Sequence, residues 1–159
     1  MEIYIRQIWK CKFIKVGSEA YAAELALRNE ILRVPLGLDL YAEDLSGESA
    51  DYHIGAFLRG RLAGCLVLTP LGGGEMKMRQ VAVEERYQGM GIGKDLVKCC
   101  EVYAGDIGYS RIVLAARRTA AGFYGRLGYK AVSDEFTEVG IPHVKMAKEI
   151  TIMNREVSS

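Results

Sequence analysis

Three glycines at alternate positions, Gly89, Gly91 and Gly93, follow a short apolar run and open an amphipathic one. The whole segment reads M-R-Q-V-A-V-E-E-R-Y-Q-G-M-G-I-G-K-D, Met78 to Asp95. Met78 to Val83 has the composition of a strand, Glu84 to Tyr87 is a charged turn, and Ile92 to Tyr103 has helical spacing. A strand feeding a glycine-rich turn that opens a helix presents backbone N–H groups the helix itself cannot pair. The helix end adds partial positive charge, so such a turn suits an anion. Glycine lets the main chain approach a bulky phosphate, because no Cβ stands between them. Phosphate binding is the chemistry this spacing points to; a plain turn is the bland alternative.

Two nucleotide loops are excluded. A triphosphate loop needs Gly, four residues, then Gly-Lys-Ser/Thr. Counting back from Gly93-Lys94 finds Gln88 where the first glycine belongs, and Asp95 replaces the magnesium-binding hydroxyl. The dinucleotide fingerprint G-x-G-x-x-G fails as well, with Lys94 or Leu96 at its third glycine. What the segment does carry is Q-x-x-G-x-G, Gln88 to Gly93. That hexapeptide resembles the pyrophosphate loop of the GNAT acetyltransferase superfamily.

The elements that must hold this loop can be read in order. The 159 residues suit one domain, expected over 1–150 with a tail at 151–159, large enough to bury roughly 70% of its unfolded surface. A net charge of +1 gives no reason to expect nucleic acid as a partner. No apolar run approaches the ~20 residues of a membrane span, and no signal-peptide pattern opens the chain. Four cysteines (Cys11, Cys65, Cys99, Cys100) are too sparse for a disulfide scaffold, and none stands in C-x-x-C spacing. With only His53 and His143 beside them, no metal site is expected, and a reducing cytoplasm is.

Glu2 to Trp9 is expected as a first strand. Ser18 followed by Glu19 predicts a helix start, running to about Arg33 before Pro35, with Tyr21, Leu25 and Leu32 on one face. Leu36 to Ala50 is a loop holding Asp39, Glu43, Asp44 and Glu48. Strands are expected over Tyr52–Arg59 and Arg61–Thr69, turning at Gly60. After the loop helix come a strand at Arg111–Ala115, a helix at Thr119–Leu127 ended by Gly128, and a strand at Tyr129–Val132. A polar loop follows at Ser133–Gly140, then a last strand at Ile141–Lys148. Thr151 to Ser159 is read as a frayed tail or a contact in a homodimer. The order gives a mixed α/β fold whose one parallel pair joins the Met78 strand to Arg111–Ala115.

A second segment, L-A-A-R-R-T-A-A-G-F-Y-G-R-L-G-Y from Leu114 to Tyr129, is similar to the other GNAT signature, A-x-x-F-Y-x-x-x-G-F/Y. Ala120, Phe123, Tyr124, Gly128 and Tyr129 fall on its positions. L-R-N-E-I-L-R and D-E-F-T-E-V-G-I-P-H-V-K-M further resemble the ElaA-like and YjcF-like subgroup. The resemblance implies the GNAT fold, a mostly antiparallel central sheet with one splayed parallel pair flanked by helices. It also implies N-acetyl transfer from acetyl-CoA, as co-substrate and without a metal, to a small-molecule or peptide amine. Many members carry asparagine at the position of Arg117; an arginine here offers a phosphate contact instead.

The resemblance assigns roles to residues. Backbone amides of Gln88, Gly89, Met90, Gly91, Ile92, Gly93 and Lys94 would hold the pyrophosphate. Val81, Ala82 and Val83 would pair through the main chain with the pantetheine arm, with Phe123 and Arg117 as further cofactor contacts. Tyr124 would assist the departing thiolate. A thiol near pKa ~8.5 and a phenol near ~10 make full proton transfer uphill by about 2 kcal/mol, so a strengthening hydrogen bond fits better. An alkyl ammonium acceptor needs about 4 kcal/mol to lose its proton at neutral pH, so a base is expected. His143 and Glu138 are the leading candidates, with Glu84 and His53 behind them. Asp39, Glu43, Asp44, Glu135 and Glu138 would form an acidic lip for a cationic amine. A non-catalytic acetyl-CoA sensor is the competing reading; the acceptor itself (polyamine, amino sugar, aminoglycoside, peptide N-terminus or lysine) stays open.

Overall fold

The computed structural model describes residues 9–152, and its first strand, β1 (Trp9–Ile14), begins where the expected Glu2–Trp9 strand ends. Only Trp9 of that expected strand, and only Thr151 and Ile152 of the expected tail, lie among the described residues. Helix α1 (Glu19–Leu32) starts as Ser18 predicts: the Tyr21 N–H donates to Ser18 Oγ at 3.2 Å, and Glu19 sits in the first turn. It stops before Pro35, which lies in a 3-10 turn at Val34–Leu36. The buried face is wider than the expected one. Tyr21, Glu24, Leu27 and Arg28 are buried, while Leu25 and Leu32 pack half-buried against the same core. The charges of Glu24 and Arg28 cancel one another four residues apart, so an apolar pattern could not reveal that face.

The connection after α1 folds into further 3-10 turns at Leu40–Ala42 and Glu48–Ala50. Fully buried Leu40 anchors it, donating its N–H to Asn29 Oδ1 at 2.9 Å. Strands β2 (Tyr52–Leu58) and β3 (Arg61–Pro70) meet at Arg59 and Gly60, whose φ of 51° and 79° make the two-residue turn that suits twisted hairpins. Next come β4 (Glu75–Val83), α2 (Ile92–Asp106) and β5 (Arg111–Arg117), which outruns its expected end at Ala115. A 3-10 turn at Arg118–Ala120 leads into α3 (Ala121–Arg126), and together they fill the expected second helix. Strand β6 (Lys130–Ala131) is shorter than expected. Strand β7 (Phe136–Glu138) lies inside what reads as a loop, because Val139 and Gly140 (φ 51° and 72°) fold it back onto β8 (Ile141–Glu149).

The strands run in the order β1-β2-β3-β4-β5-β8-β6, with β7 on β8. The sheet is mostly antiparallel; β4 and β5 are its parallel pair, in register from Glu75↔Arg111 to Lys77↔Val113. The chain forms two compact units that share β4 and α2: residues 1–69 with 80–100, and 70–79 with 101–159.

In the first unit α1 covers one sheet face, where Ile14, Tyr21 and Phe57 cluster and Leu27 meets Cys65 and Ala82. The other face carries Ala56 and Gly64, which pair across strands. Helix α2 packs there so closely that a Cβ on Gly64 would lie 2.9 Å from Leu96 Cδ1. In the second unit β5 and β8 pair over their full length, from Arg111↔Glu149 to Arg117↔His143. Lys148 Nζ ties that unit's edge, donating to Glu101 Oε1 at 2.9 Å and to the Leu127 carbonyl at 2.8 Å. Among the described residues no helix is long and apolar enough to cross a membrane.

Candidate active site

The glycine-rich turn is built by its neighbours. A 3-10 turn at Glu85–Tyr87 leaves β4, with the Tyr87 N–H on the Glu84 carbonyl at 2.8 Å and the Gln88 N–H on the Glu85 carbonyl at 3.2 Å. The Gln88 side chain reaches back and donates from Nε2 to the Val83 carbonyl at 3.0 Å. Gln88 therefore shapes the loop, and its own amide is engaged. Gly89 and Gly91 adopt φ of 80° and 87°, and a Cβ on either would meet nothing within 4 Å. Their need is therefore conformational, and the space a side chain would take is open. Gly93 is different: it lies within the first turn of α2, after buried Ile92. The first intrahelical bond runs from the Asp95 N–H to the Gly91 carbonyl at 3.0 Å, so the amides of Ile92, Gly93 and Lys94 are those a helix cannot pair internally. Met90 is half exposed and Lys94 exposed.

The strand leading into the loop carries a backbone irregularity. Gln80 has φ of 57°, a left-handed conformation that is rare for a residue with a side chain. Its Oε1 accepts from Arg33 Nη2 at 3.2 Å, and Arg33 is held in turn by both Glu43 oxygens at 2.6 and 3.1 Å. Beyond it, the Glu84 N–H donates to the Ala63 carbonyl at 2.8 Å. Strand polar groups alternate sides, so Ala82 also turns its main chain toward β3 while Val81 and Val83 turn theirs away. The Val83 carbonyl receives Gln88 on that side.

In the second unit, Tyr124 is buried in α3, edge-on to Phe123 at 5.0 Å and to Tyr129 at 5.9 Å between ring centroids. Phe123 is half-buried. Arg117 closes β5 and pairs in register with His143. His143 is nearly enclosed, with Nδ1 2.8 Å from the Ile141 carbonyl, so Nδ1 carries the proton it donates there. Its Nε2 points to Glu138 Oε2 at 3.6 Å, and Phe136 stacks on the ring at 6.0 Å. His143 and Glu138, both named from the sequence, thus meet across the β7–β8 hairpin.

The other base candidates are engaged elsewhere. His53 is buried, with Nδ1 2.8 Å from Glu24 Oε2 and Nε2 2.8 Å from the Glu48 carbonyl. Both nitrogens face acceptors, so the ring has no lone pair to offer. Glu84 sits against Arg86 at 2.9 Å and Arg61 at 3.4 Å. The acids expected as a lip are also bound locally. Asp39 and Asp44 accept from the Tyr41 and Ser46 amides, each at 3.0 Å, while Glu135 lies 3.4 Å from Arg118. The Arg33 hydrogen bonds hold the Glu43 carboxyl below its usual range.

One constellation was not assembled from the sequence. Arg28 donates to Glu24 at 2.8 Å and, from both terminal nitrogens, to Glu48 at 2.7 and 2.9 Å; Tyr21 Oη donates to Glu48 at 2.9 Å. All five groups, His53 included, are buried. Burial alone would lower the His53 pKa, but Glu24 and the Glu48 carbonyl outweigh it and raise the value. Burial alone would raise that of Glu48, but Arg28 outweighs it and lowers the value. Ligand atoms of Glu24, Glu48 and His53 lie within 4.8 Å of one another, as a metal would require. The Arg28 guanidinium already bonds both carboxylates, so the cation these acids hold is their own arginine. The visible signal is the Glu24–Arg28 spacing, which puts both on the inward side of α1.

Comparison with known proteins bears on the family and the fold. A family profile described as an acetyltransferase (GNAT) domain matches residues 36–150. YyaT of Bacillus subtilis (strain 168), uncharacterised, is 40% identical over 75 residues, which are 47% of this chain and 51% of YyaT. YjcF of the same strain, described as an uncharacterised N-acetyltransferase, is 33% identical over 88 residues, 50% of this chain and 63% of YjcF. The chain therefore spans about half to under two thirds of these relatives' lengths. A Lactobacillus plantarum protein, solved as a candidate N-acetyltransferase, superposes with a TM-score of 0.82 at 24% identity, over 91% of this chain and 99% of that one. A GNAT family acetyltransferase from Elizabethkingia anophelis, solved with acetyl-CoA bound, superposes with a TM-score of 0.68 at 17% identity, again over 91% and 99%. At such identities the superpositions speak for the fold.

Proposed function

The chain belongs to the GNAT acetyltransferase family, and on that premise we propose that it transfers an acetyl group from acetyl-CoA to a primary amine by direct attack. The observation that carries this reading is the Gly89–Lys94 turn, where left-handed glycines with open space at their Cβ positions run into the amides that a fifteen-residue helix cannot pair internally. Six consecutive amides from Gly89 to Lys94 form the diphosphate cradle, and Gln88 holds its shape from behind. Val81 and Val83 offer main-chain groups on the side of β4 away from β3, the side an extended pantetheine arm would pair with. Arg117 and Phe123 stand as further coenzyme contacts.

In the reaction the amine's lone pair attacks the thioester carbonyl, and the tetrahedral intermediate collapses by expelling the coenzyme thiolate. Tyr124 meets that charge with its phenolic O–H, the hydrogen bond strengthening as the sulfur becomes anionic. The ammonium form of the acceptor must first lose a proton. His143 is suited to take it at Nε2, since Nδ1–H is held by the Ile141 carbonyl, and Glu138 would steady the imidazolium. The engagement of Glu43 by Arg33 and of Asp39 and Asp44 by local amides removes support for a free acidic lip.

Calorimetric titration with acetyl-CoA, followed by a panel of amines monitored for free coenzyme thiol, tests the reading. Binding with thiol release on one class of amine supports it. Binding without release on any amine would favour a coenzyme-sensing module instead, and no binding would remove the loop assignment.

A further inference from the structure

The first unit carries four thiols that the proposed reaction does not use, and two of them, Cys65 and Cys100, are fully buried. Cys11 lies on β1 and Cys99 on α2, and each is half-buried. The sheet row they belong to explains their meeting. Cys11 pairs in register with Ala56, and Ala56 with Gly64, so one row across three strands carries only small side chains. Helix α2 settles onto that row, with Leu96 and Ile92 against Gly64. At the edge of the same face Trp9 Nε1 donates to Asp95 Oδ2 at 2.8 Å, pinning β1 to the first turn of α2. From that pin, two residues along a strand advance about 6.7 Å, and four along a helix about 6.0 Å. The two steps nearly match, and they carry Trp9 to Cys11 and Asp95 to Cys99. The Cys11 thiol is accordingly within hydrogen-bonding reach of the Cys99 thiol.

We propose that Cys11 and Cys99 form a reversible disulfide cross-linking β1 to α2, closed by exchange with a low-molecular-weight disulfide such as oxidised glutathione. Cys99 thiolate attacks one sulfur of the external disulfide, forming a mixed disulfide and expelling the first small thiolate. Cys11 then gives up its proton and attacks the Cys99 sulfur, expelling the second. Two protein thiols are oxidised, one external disulfide is reduced to two thiols, and the two protein protons end on those products. Burial, then its hydrogen bond to Cys99, pushes the Cys11 thiol up to about 12. Cys11 is therefore the resolving partner, and the second step is the slow one, accelerating as pH rises. The assignment does not rest on acetyl-CoA binding and can be tested without it.

The full chain is incubated with oxidised glutathione at near-neutral and mildly alkaline pH, then mapped by non-reducing peptide mass spectrometry. The expected result is a Cys11–Cys99 linked peptide, formed faster at the higher pH and reversed by dithiothreitol. The melting midpoint should rise by roughly 5–10 °C on oxidation, since the bond closes a long loop. Cys11→Ser should stop at glutathionylated Cys99 with no such rise, and Cys99→Ser should form no intramolecular bond. Should the wild-type chain stay at glutathionylated Cys99, pair either thiol with a different cysteine, or remain unmodified, the proposal is overturned, whether or not either variant folds.

Discussion

Two regions of the first unit treat polar groups in opposite ways. Around Glu24, Arg28, Glu48 and His53 the carboxylates, both imidazole nitrogens and both terminal guanidinium nitrogens are turned on one another or on main chain, with only Arg28 Nε left unanswered, and the whole is buried. At Gly89–Lys94 there is almost no side-chain chemistry, yet two left-handed glycines with open space beside them run into amides the helix cannot pair internally. The charged cluster has the residue types of a site and behaves as a structural clamp. The glycine turn has the composition of a plain loop and is the one proposed to hold a ligand. What separates them is whether donors are already answered, not how many titratable groups are gathered.

The sharpest way to break that contrast is to unbalance the clamp. Arg28→Met leaves two buried carboxylates without their cation, and should cost about 3–5 kcal/mol in urea unfolding. A loss under about 1 kcal/mol would mean the cluster is not a clamp at all. Next in size, Gly91→Trp fills the outer side of the loop and should weaken acetyl-CoA binding at least about a hundredfold by calorimetry. The accompanying strain at a left-handed position should stay near ~1 kcal/mol, leaving the far-ultraviolet dichroism intact. Tyr124→Phe should lower turnover at least about tenfold with coenzyme affinity little changed, as expected for an interaction realised only in the transition state. Unchanged turnover on a competent amine would take Tyr124 out of the mechanism.

A smaller effect follows from His53. Its folded pKa is raised, so its contribution to stability is complete below the unfolded value of about 6.5 and is lost as pH climbs through the folded one. Urea midpoints measured from about pH 6 to 9 should therefore decline on the alkaline side. His53→Gln should flatten that decline. Smallest of all, Glu43→Gln disturbs a pair whose carboxylate is 42% exposed, and should change stability by less than about 1 kcal/mol. If it instead alters acetyl-CoA affinity, the Arg33 tether on Gln80 reaches further than a surface ion pair should.

Much of the scaffold was legible because local rules and tertiary structure agree. Ser18 caps α1, Gly60 turns the first hairpin, Gly128 ends the helical segment before β6, and the Gln88–Gly93 spacing marks the loop. What stayed hidden depended on partners far along the chain. Glu24 and Arg28 drew no expectation, because hydropathy cannot see that Glu48 and His53 arrive to neutralise them. Strand β7 was lost for a related reason: Phe136-Thr137-Glu138 is polar enough to pass for loop, and only pairing with Ile141–His143 makes it a strand. The left-handed Gln80 had no sequence signal, since its conformation is held from Arg33 forty-seven positions away. Cys11 and Cys99 were likewise separate residues until one row of small side chains brought a helix down beside a strand.

The interleaving of the two units carries a practical corollary. Residues 70–79 belong with 101–159, while 80–100 belong with the beginning of the chain. No single cut yields either unit whole: a fragment stopping at Thr69 forfeits both the Val81–Val83 stretch and the glycine turn. Chimeras between relatives must therefore exchange two stretches of sequence together, with junctions inside β4 and α2, or they will graft half of each unit onto a stranger.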